Sequence, residues 1–178
     1  MSNPDRPEQI ELLTFQLDTE IVAVEAVRVR EVLDQAPVSE VPGARPFVPG
    51  VLNVRGQVVP LADLRLKLNL QIRPPTPDSR IVVLETTLGG EPVTVGVRAD
   101  RVFEVTELEP GSLEEAPAIG LRWRKEHIRF IGKRGEDLII ALDIDRIFSD
   151  EDAESPAGPA SAAATPDQQA ASPATAGA

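Results

Sequence analysis

The sequence predicts an all-β protein with short helices, folded as two similar small barrels packed together. Three observations carry this reading. Apolar residues make up 42% of the 178 residues and aromatics only 3%, so the core is aliphatic and rich in the β-branched residues that favour strands. Between residues 10 and 150, short apolar runs alternate with turn signals, as in a barrel or sandwich. The second half of that body also echoes the first.

The elements follow in order. Leu13, Phe15 and Leu17 alternate with Thr14 and Gln16, the period of a strand. Asp18-Thr19-Glu20 reads as a tight turn, and IVAVEAVRVREVL (21–33) as a β-branched extended run. VLNVRGQVVPLADL (51–64) is two strands hinged at Gly56. IVVLETTL (81–88) and PVTVGV (92–97) form a hairpin about Gly89-Gly90, and DLIIALDI (137–144) is a further strand. ADLRLKL (62–68) and DIDRIF (143–148) are short helical stretches. The echo pairs VRVREVL with VRADRVFEV and NVRGQVVPLADL with GKRGEDLIIALDI. The Arg-Gly pairs at 55–56 and 134–135 each read as the centre of a hairpin, consistent with an ancestral duplication, the alternative being that any two β meanders look alike.

Residues 1–9 are polar, and 151–178 collapse to Ala, Pro, Ser, Thr and Gly; both segments are expected to be disordered, flanking a body over 10–150. The N-terminus has no apolar signal core, no apolar run reaches the roughly 18 residues that span a bilayer, and there is no Cys. A soluble cytoplasmic chain without direct membrane contact is the expectation. The net charge is −11, of which −7 belongs to residues 1–150 (18 basic against 25 acidic), and this argues against nucleic-acid binding.

No constellation supports catalysis, a metal or a cofactor. The one histidine, His127, lies in the charged stretch RWRKEHIR (122–129) and reads as a solvated surface residue in a solvated loop, with Trp123 as a partner anchor. Asp143 and Asp145 read as a solvated edge or a helix N-cap rather than an acid pair. No glycine stands in a phosphate-binding frame. The remaining candidates are binding residues. Arg55 beside the turn glycine is either an ordinary exposed hairpin arginine or an interface arginine paired with a carboxylate such as Glu31, a role that suits its planar fork. Val29 shares a strand face with Glu31, and Val32 flanks it. Phe47 and Phe130 occupy related places before a glycine, with Phe47 read as core.

The stretch VSEVPGARPFVPGVLNVRGQVVPLADLR (38–65) resembles the CheW family of chemotaxis coupling proteins. Pro42, Phe47, Gly50, Asn53, Arg55, Gly56, Pro60, Asp63, Leu64 and Arg65 all fall in register without a gap. The resemblance covers about 140 residues, and Ile21-Val22 stands where the family carries Tyr or Phe. It implies two intertwined five-stranded barrels of Src-homology-3-like type and a scaffold with no chemistry of its own. The implied partners are the regulatory domain of a CheA-type histidine kinase and the cytoplasmic tip of a methyl-accepting chemoreceptor, in receptor arrays. The partner-binding residues it favours are Val29, Glu31, Val32, Gly50, Asn53, Arg55, Gly56 and Phe130. Other readings are a related regulatory or competing module of a non-flagellar pathway, or a small β-barrel ligand-binding protein or enzyme. No phosphotransfer, ATP-binding or receiver segment fits in the terminal tails.

Overall fold

The computed structural model describes residues 9–153. The expected disorder of 1–8 and 154–178 lies outside the described residues. Twelve strands and two α-helices follow one another among them: β1 (Ile10–Leu17), β2 (Glu20–Glu25), β3 (Val29–Leu33), β4 (Ser39–Glu40), β5 (Gly50–Val54), β6 (Gln57–Ala62), α1 (Leu64–Lys67), β7 (Arg80–Leu88), β8 (Glu91–Ala99), β9 (Arg101–Leu108), β10 (Leu113–Glu114), β11 (Ile128–Arg134), β12 (Asp137–Leu142) and α2 (Ile144–Ala153). The two hairpins read from Gly56 and from Gly89-Gly90 form as expected. The long apolar run at 21–33 is broken by a 3-10 turn over Ala26–Arg28, which lifts Val27 to 88% exposure.

The strands form two six-stranded sheets, ordered β10-β11-β12-β2-β1-β9 and β3-β7-β8-β6-β5-β4. Each has five strands of five or more residues and one strand of two residues. The expected duplication is present in the topology: advancing every strand of the second sheet by six places reproduces the first. The chain also exchanges between halves. The hairpin β1–β2 joins the C-terminal sheet through a parallel pairing of β2 with β12, while β7–β8 joins the earlier strands through β8 beside β6. The two units are therefore intertwined.

Three cores result. Leu52, Val54, Val59, Leu61, Ile81 and Val83 fill the inside of one sheet, and Leu12, Ala23, Leu108, Ile139 and Ala141 fill the other. The largest cluster lies between the sheets, where Phe15, Leu17, Val82, Leu84 and Val97 meet Leu64, Leu68 and Ile147 of the helical segments. β1 is thus buried on both faces, Leu12 inward and Leu13, Phe15 and Leu17 toward the other sheet. The sequence's alternation identifies the strand but not its second buried face.

Two sequence expectations are corrected here. His127 is 1% exposed rather than solvated, and Trp123, at 9%, belongs to the central core rather than to a partner surface. The reason is a symmetry the charges conceal. The Asp63 N–H donates to the Phe47 carbonyl and the Asp143 N–H to the His127 carbonyl, both at 2.9 Å. His127, not Phe130, is therefore the counterpart of Phe47, and it occupies a core position beneath α2.

Asp143 and Asp145 divide the roles read for them. Asp143 caps α2, its Oδ1 accepting the Arg146 N–H at 3.1 Å. Asp145 is a latch between distant segments: it accepts both Arg28 Nη groups at 2.8 and 2.7 Å, the Thr86 hydroxyl at 2.8 Å and the Thr87 N–H at 2.7 Å. Burial alone would push its carboxyl up, but the Arg28 fork and the two threonine donors outweigh it and hold it below the ordinary range. A depressed folded-state pKa gives stability that is complete above the unfolded value, near 4, and is lost as pH falls through the lower folded one. Asp145→Asn is expected to cost about 1–3 kcal/mol at neutral pH. That deficit should shrink on acidification below pH ~4, read from urea midpoints across the pH range.

Candidate functional site

The β5–β6 hairpin is the centre of the site. Its two turn residues, Arg55 (φ +50°) and Gly56 (φ +86°), both have left-handed backbone, which a two-residue turn of this hand requires. Glycine adopts this conformation freely, whereas an L-residue such as arginine is strained by roughly 1 kcal/mol. The Asn53 side chain braces the turn, its Oδ1 accepting the Gly56 N–H at 2.8 Å. Arg55 then extends from the hairpin tip to Glu31, its Nε donating to the two carboxylate oxygens at 3.1 and 3.2 Å. The Arg55 side chain is 82% exposed and that of Glu31 22%. Only Nε is used, so both Nη groups of Arg55 remain open to a further acceptor.

This contact also reports the shape of the sheet. Counting along the ladder, β3 and β5 are four strands apart, about 19 Å if the sheet were flat. A 3.1 Å ion pair between them requires the sheet to roll up until its ends approach.

The eight expected binding residues separate. Glu31, Asn53, Arg55 and Gly56 come together at the exposed hairpin. Val32 is 41% exposed but turns away into a groove with Phe103 and Arg101. Val29 does not share the Glu31 face: the β3–β7 register shifts between them, and Val29 packs against the central core. Phe130 stands on β11 of the other sheet, half-buried against its inner core. Gly50 is buried where β4 crosses β5. A Cβ there would lie 2.6 Å from the Ser39 carbonyl oxygen and 2.8 Å from Val38 Cγ1. Gly50→Ala is expected to cost about 1–3 kcal/mol, measured as a lowered urea midpoint, because backbone must move to admit the methyl.

Sequence reasoning missed two features. Val58, across the ladder from Asn53, is 76% exposed on the same hairpin as Arg55; its neighbour Val59 is buried, and two adjacent valines do not reveal which faces out. A related ion pair stands on the other sheet, but not from the turn: the expectation that Arg134-Gly135 is centred there is corrected, because the turn is Gly135-Glu136 and Arg134 is the last residue of β11, paired with Asp137 where the first hairpin has Val54. Arg134 donates through Nη1 to Glu104 at 3.1 Å and to the Thr106 hydroxyl at 3.0 Å, again from a hairpin to an end strand. Leu138, 62% exposed, takes the place of Val58. The signal was present as the repeat of Arg-Val-x-Glu-Val at 28–32 and 101–105.

Comparison with known proteins gives the family and the fold. The profile of the CheW-like domain matches residues 11–152. The chemotaxis protein CheW of Klebsiella aerogenes is 30% identical over 142 residues, covering 80% of this chain and 83% of that protein. CheW of Thermotoga maritima is 29% identical over 146 residues, covering 82% and 92%. The crystal structure of the scaffolding protein TtCheW from Thermoanaerobacter tengcongensis superposes with a TM-score of 0.72 at 24% identity, over 83% of this chain and 93% of that one. With a profile matched from β1 to α2 and the same fold, the chain belongs to the CheW-like domain family.

Proposed function

We propose that this chain is a non-enzymatic chemotaxis scaffold that couples the cytoplasmic tips of chemoreceptors to the regulatory domain of a CheA-type histidine kinase, in cytoplasmic receptor arrays. The observation that carries the reading is the exposed Arg55–Glu31 pair on a strained, braced hairpin. Folding alone favours Asn or Gly at such a turn position, so an arginine held there, with two Nη groups unused, suits recognition of an acidic group on a partner. Exposed Val58 on the same hairpin adds the apolar contact that binding surfaces combine with arginine. The Arg134–Glu104 pair, with Leu138 exposed on the same hairpin, puts a charged, apolar-flanked hairpin on each sheet, which suits a protein that bridges partners rather than one that encloses a substrate.

The test is reconstitution of receptor, kinase and this chain. Kinase autophosphorylation should become dependent on receptor state only when the chain is present. Identical kinase activity with and without it would overturn the coupling role.

A further inference from the structure

A separate pocket lies at the mouth of the second barrel, away from the Arg55 hairpin. It encloses about 70 Å³, and its floor is apolar, lined by Val38, Leu61 and Ile81 from the inner core of that sheet. Its rim carries Arg65, Arg73, Arg80 and Arg98. Three of these are committed. Arg65 is held by Asp63 and Asp100, Arg73 reaches Asp18 at 2.8 Å, and Arg80 reaches Asp34 at 3.2 Å. Asp100, the one carboxylate on the lining, is taken by Arg65 at 2.9 Å and by the Asp18 N–H at 2.6 Å.

Arg98 is different. Its side chain makes no hydrogen bond or ion pair with any described residue, although it is half-buried. Its direction follows from the strand. A Cβ on Gly96 would meet Ile81, Leu52 and Leu61 within 3.2–3.4 Å, so Gly96 faces the barrel interior. Residues two apart on a strand share a face, so Arg98 faces the same interior, opposite Ile81 in the ladder. At the strand end this brings the guanidinium to the pocket rim, where none of its unpartnered nitrogens is sealed from solvent and a carboxylate can approach its fork.

We propose that this barrel mouth is a binding site for a short-chain aliphatic carboxylate. The carboxylate takes the free fork of Arg98, and the alkyl group rests on Val38, Leu61 and Ile81. The space is far below the roughly 300–1,000 Å³ of sites for drug-sized ligands, which excludes a nucleotide and admits a molecule the size of propionate.

The experiment is an amide NMR titration of the full chain with sodium propionate, with propanol and inorganic phosphate as separate probes. Propionate should give saturable shifts at Val38, Ile81 and Ala99, with millimolar affinity, and propanol and phosphate should bind more weakly. Arg98→Met and Arg98→Gln should each weaken propionate by about tenfold or more, as expected for loss of a charge-assisted pair. Two variants are used so that a failure of one to fold leaves the other to decide. Absence of saturable shifts at these amides would overturn the proposal. So would unchanged affinity in a folded Arg98 variant, or phosphate binding as tightly as propionate.

Discussion

Replacing Arg65 by methionine is expected to destabilise the fold by about 3–5 kcal/mol, the largest effect of any single polar change in this protein. Arg65 is 3% exposed. Its Nε and Nη2 donate to the two oxygens of Asp63 at 2.8 and 2.7 Å, and its Nη1 donates to Asp100 at 2.9 Å and to the Arg73 carbonyl at 3.3 Å. Asp63 is itself 5% exposed and also caps α1 through the Arg65 N–H at 3.2 Å. Methionine matches much of the apolar volume, so the loss is electrostatic: two carboxylates stay in place, one of them buried, without the cation that offset their desolvation. For a body of this size the expected fall in melting temperature is roughly 6–20 °C. The double variant Arg65→Met, Asp63→Asn should be less destabilised than the sum of its singles, because the second change removes the stranded buried charge. A denaturation midpoint for Arg65→Met equal to wild type would show that the pair contributes nothing net.

The second large effect is expected in binding rather than folding. Arg55→Ala should shift the denaturation midpoint by no more than about 0.5 kcal/mol, since the Arg55 side chain is 82% exposed and such ion pairs are worth little. On the proposed coupling role, the same truncation should cost about 2 kcal/mol or more of affinity for the kinase regulatory domain or the receptor tip, roughly thirtyfold. Arg55→Gly makes the contrast sharper. It relieves the left-handed strain at φ +50°, so stability should rise by up to about 1 kcal/mol while binding falls. The exchanged pair Arg55→Glu, Glu31→Arg keeps an internal ion pair but reverses the charge offered outward, so it should fold and fail to bind. Normal affinity of both Arg55→Ala and the exchanged pair would place the contact face elsewhere.

How much of this was legible beforehand follows from the range of the interactions involved. The short strands, the hairpins at Arg55-Gly56 and Gly89-Gly90, the caps at the ends of the apolar runs and the twofold repeat are written locally. Alternation, β-branching and positive-φ turn residues act within a few positions and do not depend on what packs against them. The partnership of Arg55 with Glu31 was readable as well, because the repeat and the motif place both charges at strand and turn positions.

Tertiary structure decided the rest. Nothing local tells β1–β2 to leave its own half and pair with β12, yet that exchange buries β1 on both faces and creates the central core. The register shift at Val29 sends that valine inward while Glu31 turns out, reversing what strict alternation predicts. His127 and Trp123 look solvated in RWRKEHIR because their sequence neighbours are charged, but the backbone bond from Asp143 draws the turn beneath α2 and buries both rings. Arg65 stands in the motif with nothing beside it in sequence to show that Asp100, 35 positions away, closes over it. The sequence by itself determined most of the strands and the turns marked by Gly56 and Gly89-Gly90, because those free energies are local. Burial, pairing partner and the fate of each charge were set only when distant segments met, because desolvation depends on everything that surrounds a group and not on its neighbours in the chain.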